Sequence, residues 1–192
     1  MSVLRQALVV GLGALILGAC NQQSQFQGSD VTGAAIGGDF HLTDHTGKPR
    51  SLGDFRGKVV VIFFGYTQCP EECPTTLSRL ATAMQKLGPE ASRVQVLLIT
   101  VDPGRDTREV LSQYVPAFNP DFLGLYGDAA ATAAVAKEFK VLYQKQPGPT
   151  PGTYSMDHST GTFIFDREGR LRVYENYAQA PEALAHDIRA LL

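Results

Sequence analysis

Val59-Val60-Val61-Ile62-Phe63-Phe64-Gly65-Tyr66-Thr67-Gln68-Cys69-Pro70-Glu71-Glu72-Cys73-Pro74 runs from an apolar stretch rich in β-branched residues into two cysteines four positions apart. The apolar run predicts a buried strand over 59–64. A helix is expected from about Pro74 to Leu87, because Leu77, Leu80, Met84 and Leu87 fall on one stripe. Pro74 has no N–H to donate and suits a first helical turn, and Gly88-Pro89 stops the helix. The cysteines therefore sit where a buried strand hands over to a helix N-terminus. The N–H groups and dipole there favour negative charge, and a thiolate is the form of cysteine that attacks disulfides and binds metals.

Val94 to Val101 is a second near-continuous apolar run, which predicts a strand covered on both faces. A helix of about Thr107 to Phe118 follows, then a short strand near Phe122 to Tyr126 and an Ala-rich helix from Asp128 to Phe139. Gln146 to Gly152, rich in Pro and Gly, reads as a loop leading to Tyr154-Ser155-Met156-Asp157-His158. Thr162 to Asp166 and Leu171 to Tyr177 flank a turn as a hairpin, and a last helix starts near Pro181. Upstream, Phe40 to Thr43 and Arg50-Ser51-Leu52 flank the turn-rich Asp44-His45-Thr46-Gly47 as another hairpin. Alternating strands and helices followed by a hairpin and a helix give an α/β, thioredoxin-like fold, a central mixed sheet flanked by helices. Its functional groups should gather where strand 59–64 meets its helix.

The N-terminus reads as a targeting segment. Arg5 precedes an uncharged, mostly apolar stretch from Ala7 to Ala19, too short to span a bilayer comfortably. It ends Leu17-Gly18-Ala19-Cys20, similar to a bacterial lipobox, in which the signal is cut before the cysteine and the sulfur receives lipid. A plain secretory signal with an incidental cysteine is the alternative. The expected organisation is a lipoprotein signal peptide over 1–19, a flexible Gln-, Ser- and Gly-rich tether over 20–38 and one domain over 39–192. The domain would then lie in the bacterial cell envelope, outside the cytoplasmic membrane and attached to a membrane by lipid on Cys20. A net charge of -2 with no long basic run argues against nucleic acid as a partner.

In an oxidising compartment three cysteines reduce to one lipid site and one isolated pair. A Cys69–Cys73 disulfide would close a tiny loop and contribute only about 2 kcal/mol, which favours a functional pair over a structural staple. Three residues separate the sulfurs, where thiol oxidoreductases of this fold usually have two. Glu71 and Glu72 between them favour a bound cation. His158, in the segment before strand 162–166, completes a candidate metal set. Two soft thiolates and one imidazole suit copper, as Cu(I) or Cu(II), where zinc prefers a fourth protein ligand or a catalytic water. Met156 is either a soft auxiliary ligand or core packing. Asp106 with Glu109 resembles a capping box. The alternative is that Asp102, Arg105 and Asp106 form a polar surface near the thiols that docks a partner. His41, His45 and His186 read as ordinary surface.

Together, Gly65-Tyr66-Thr67, Cys69-Pro70 with Cys73-Pro74, Val101-Asp102-Pro103 with Arg105-Asp106-Thr107, and Asp157-His158 before a strand resemble the Sco/SenC family of copper-binding assembly proteins. The resemblance covers roughly Phe40 to Leu192. It implies copper held by Cys69, Cys73 and His158, and a metallochaperone role in maturing the dinuclear copper centre of cytochrome c oxidase. The oxidase's copper-binding subunit would be the partner, with other periplasmic copper carriers or thiol reductants as further ones. The other activity compatible with these residues is that of a thiol:disulfide oxidoreductase. Cys69 and Cys73 would then be a redox pair keeping the oxidase's copper-site cysteines reduced. Glu71 stands where the family commonly has aspartate. Many members use a transmembrane helix where this chain has Cys20.

Overall fold

The computed structural model describes residues 26–177 and 179–192, so Cys20 and the targeting segment lie outside the described residues. Among the described residues, ten strands and four α-helices follow in chain order. They begin with β1 (Ser29–Asp30), β2 (Leu42–Asp44), β3 (Pro49–Arg50) and β4 (Val59–Gly65). Then come α1 (Glu72–Leu87), β5 (Val94–Thr100), α2 (Arg108–Tyr114), β6 (Leu123–Tyr126) and α3 (Ala129–Glu138). The chain closes with β7 (Tyr143–Pro147), β8 (Tyr154–His158), β9 (Thr162–Phe165), β10 (Leu171–Glu175) and α4 (Pro181–Arg189).

Eight strands form one mixed sheet in the order β1-β10-β9-β4-β5-β6-β2-β3. β4, β5 and β6 run parallel, while β9 pairs antiparallel with β4 on its other side. This is the thioredoxin-like arrangement expected from the order of elements. β4 and β5 are buried along their whole lengths, as their unbroken apolar runs require when both faces are covered. The helix α1 lies along α4 and buries Leu77, Leu80 and Met84. It begins two residues ahead of Pro74, so Cys73 belongs to its first turn. α2 approaches β6 closely at Gly124, where a Cβ would come within 2.9 Å of the Val115 side chain.

Two regions differ from the sequence reading. The segment expected to be tether as far as Gly38 is packed on the domain from Phe26 onward. Phe26 is buried, the N–H groups of Gln27 and Gly28 each donate to the Asp187 carboxylate at 2.8 Å, and β1 adds to the edge of β10. Asp187, buried in α4, needs those donors. By its register with β10, β1 starts at the end of the sheet where β4 leads into the cysteine loop and runs away from it. The expected 146–152 loop is the tip of a two-stranded hairpin, β7–β8, which pairs with no strand of the large sheet.

Candidate metal centre

Cys69 lies in the loop after β4, between exposed Gln68 and Pro70, and Cys73 is the second residue of α1. Both sulfurs are free thiols, and both are buried. Glu71, at the N-cap, makes no side-chain capping bond. The Cys73 N–H donates instead to the Cys69 sulfur at 3.3 Å, so a ligand atom satisfies one of the helix's open donors. Cys73 is 0% exposed. A Cβ on Gly65 would come within 2.9 Å of its sulfur, so the glycine makes room for it. Burial pushes the Cys73 thiol well up from its ordinary value, and the adjacent Cys69 adds to the rise. A metal must displace that proton to bind there.

His158 arrives from the other direction, at the end of β8. Its Nε2 is 3.5 Å from the Cys73 sulfur, and its Nδ1 is 3.0 Å from the Ser159 carbonyl oxygen. A carbonyl only accepts, which assigns the proton to Nδ1 and leaves the Nε2 lone pair facing the sulfurs. Phe63 and Tyr66 meet the imidazole edge-on, at ring-centroid separations of 6.2 and 5.8 Å. The ligand atoms of Cys69, Cys73 and His158 all lie within 4.8 Å of one another, and among the described residues no other cluster of His, Cys, Asp and Glu converges in this way. Two soft sulfurs and one nitrogen, without a fourth protein donor, suit copper better than zinc. Glu71 and Glu72 stand exposed at the rim.

Met156 is buried and its N–H donates to the Tyr66 hydroxyl at 3.3 Å, so it belongs to the packing under the hairpin. Residues 154, 156 and 158 alternate along β8. Tyr154 reaches Asp102, Met156 meets Tyr66 and His158 meets Cys73, so these three dock the hairpin on the large sheet.

The DPGRDT segment is built differently from expectation. Asp106 is not an N-cap; Thr107 is, accepting from the Val110 N–H. The Asp106 carboxylate is buried and accepts from the Thr67 hydroxyl and the Thr100 hydroxyl, each at 2.6 Å, and from the Thr67 N–H at 3.1 Å. It braces the cysteine loop against the end of β5. Burial raises its pKa against the pull of those donors. Asp102 is also buried, and Arg105 is turned inward, so this trio is an internal brace and not an open docking surface. The Arg105 Nε pairs with Asp102, while its Nη1 donates to Gln68 Oε1 and to the Tyr154 carbonyl, both at 2.9 Å.

Among the other histidines, His45 is half-buried and its Nδ1 accepts the Gly124 N–H at 3.0 Å, so it joins two parts of the sheet instead of decorating the surface. His186 is half-exposed and pairs with Asp187.

The family profile described as SCO1/SenC matches residues 29–192. The mitochondrial SCO2 homologue of Mus musculus is 36% identical over 186 residues, covering 93% of this chain and 73% of the mouse protein. The cattle and human counterparts are longer relative to this chain, which spans 60% and 64% of their lengths. Among solved structures, apo Sco1 from Thermus thermophilus is 42% identical with a TM-score of 0.77, covering 87% of this chain and 97% of that one. Copper-bound ScoI from Bradyrhizobium japonicum is 39% identical with a TM-score of 0.76, covering 82% of this chain and 100% of that one.

Proposed function

Because this chain belongs to the SCO1/SenC family, we propose that it binds copper through Cys69, Cys73 and His158 and delivers it during assembly of the dinuclear copper centre of cytochrome c oxidase. The observation that carries this reading is the convergence of three soft donors, within 4.8 Å, from two separate elements of the fold. A similar protein, the Bradyrhizobium ScoI, has been solved with copper bound. The partner is the oxidase subunit that holds the copper, and other envelope copper carriers or thiol reductants supply or regenerate the site. A lipid on Cys20 keeps the domain at a membrane of the bacterial envelope; the lipobox-like Leu17-Gly18-Ala19-Cys20 supports this. Mass spectrometry of the membrane fraction, with Cys20→Ser as the control, tests the anchor.

The second reading is a thiol:disulfide oxidoreductase that keeps the oxidase's copper-site cysteines reduced. It is favoured by two free thiols brought together where the loop after β4 meets α1. That work needs the sulfurs and not the imidazole. The deciding experiment complements cells lacking the protein with wild type, Cys69→Ala and His158→Ala under limiting copper, and measures oxidase activity. Copper delivery predicts that His158→Ala fails as Cys69→Ala does. Full rescue by His158→Ala would replace this reading with the oxidoreductase one.

A further inference from the structure

We propose that Arg105 is the positioning residue that clamps the β7–β8 hairpin, and with it His158, over the two thiols. The inference rests on the copper reading of the site and adds a residue that holds no metal.

One planar cation touches all the parts that have to be brought together. Its Nη1 donates to the side chain of Gln68, next to Cys69, and to the main-chain carbonyl of Tyr154, four residues before His158 on the same strand, both at 2.9 Å. The guanidinium carbon lies 3.5 Å from the centre of the Tyr154 ring and 5.7 Å from that of Tyr66, the ring that walls His158. Asp102 anchors both partners, pairing with the Arg105 Nε and accepting the Tyr154 hydroxyl at 2.9 Å. Asp102 is itself fixed to β5, since its N–H donates to the Thr100 hydroxyl at 3.0 Å.

The hairpin needs such a clamp. A lone two-stranded hairpin is marginal in water, and β7–β8 shares no ladder with the large sheet. β7 has no buried residue and β8 buries only Met156. Without Arg105 the Tyr154 end keeps the phenol bond to Asp102, the middle of β8 keeps the Met156 N–H bond to Tyr66, and His158 is left to its own ring contacts. The ligand set would then have to be assembled on binding, where now it is preorganised. Lysine cannot replace this function, because its single nitrogen cannot sit on Asp102, where the Arg105 Nε is, and at the same time on Gln68 and the Tyr154 carbonyl, where Nη1 is, and it lacks the plane that lies on Tyr154.

The test uses Arg105→Ala and Arg105→Lys, each in wild-type and His158→Ala backgrounds, with copper ion itself as the probe. Hydrogen exchange of the reduced, metal-free protein is read alongside copper affinity. The expected result is faster exchange across 143–158 with β4 and β5 unchanged. Copper affinity should fall by about 10–100-fold, the usual loss for a residue that orients a ligand, and little further fall is expected when His158 is already absent. Arg105→Lys keeps a cation on Asp102, so it reads the clamp even where Arg105→Ala fails to fold. Unchanged hairpin exchange overturns the clamp, as does an equal affinity loss in both backgrounds. A wild-type domain that binds no copper overturns the metal reading instead, and the exchange data still decide the clamp.

Discussion

The strand that delivers the cysteines and the strand that delivers the histidine are held in opposite ways. β4 is buried at all seven positions, between a parallel neighbour and an antiparallel one, and Asp106 braces the loop that follows it. β8 has one neighbour, β7, and alternates buried or half-buried residues with exposed ones. The hairpin turn that precedes it relies on local bonds, such as the Gly148 N–H to the Thr153 carbonyl at 2.9 Å, and on Gly152 in the left-handed region. The sulfur half of the site is thus part of the core, whereas the nitrogen half is a small appended unit docked by three side chains and Arg105. Such a division lets one half stay fixed while the other is released at modest cost. Under the delivery role proposed above, this suits a site that accepts a metal and also gives it up.

The comparison breaks most completely at the sulfurs. Cys69→Ala or Cys73→Ala should abolish stoichiometric copper binding and its metal–sulfur absorption while leaving the fold in place, measured by metal analysis and circular dichroism. His158→Ala removes the docked half only. Copper should then bind more weakly by more than the 10–100-fold that follows loss of an outer-shell partner. Thermal stability and formation of the Cys69–Cys73 disulfide should change little; a large loss of stability would show that the hairpin is part of the cooperative core.

Asp106→Ala strikes the rigid half. It strips a buried acceptor from two hydroxyls and one N–H, and should cost about 3 kcal/mol in denaturant unfolding. The smallest effect concerns acid, on β2, one strand in from the far edge of the large sheet. Burial of Asp44 pushes its pKa up, but donors from Thr46, Arg50 and Lys48 outweigh this and hold it at about 2. The folded-state value lies below the unfolded one. The stabilisation is therefore complete above about pH 4, and about 2 kcal/mol is lost as pH falls toward 2. Asp44→Asn should flatten that part of the stability–pH curve, measured by urea titration at each pH.

The contrast between the halves also explains what was legible in the sequence. β4, β5 and α1 announce themselves because burial on two faces, or on one helical stripe, demands apolar runs with a period. The three ligands were legible for a related reason, since each is a reactive residue next to an element of clear pattern. Tyr143-Gln144-Lys145-Gln146-Pro147 carries no such pattern, because β7 buries nothing, and the sequence announces no strand there. Asp106 misled through a local likeness: Asp-x-x-Glu looks like a cap, while its partners Thr67 and Thr100 are joined to it only by the fold. The alternative of an outward docking surface through Asp102, Arg105 and Asp106 fails for the same reason, since Asp102 and Asp106 find their partners only in the fold. Phe26 to Gly38 has the composition of a linker, and nothing local shows that Asp187, more than 150 residues on, will take its N–H groups.

The direction of β1 sets how the molecule would stand at a membrane. Phe26 lies six residues after Cys20, a leash of at most about 20 Å of extended chain, and β1 then starts at the pole of the sheet that bears the thiols. Under the anchoring proposed above, the domain would not drift freely above the bilayer. It would be tied on the side of its metal-bearing pole, which under the delivery role proposed above keeps the thiols close to the bilayer and leaves the turn between β9 and β10 at the opposite pole.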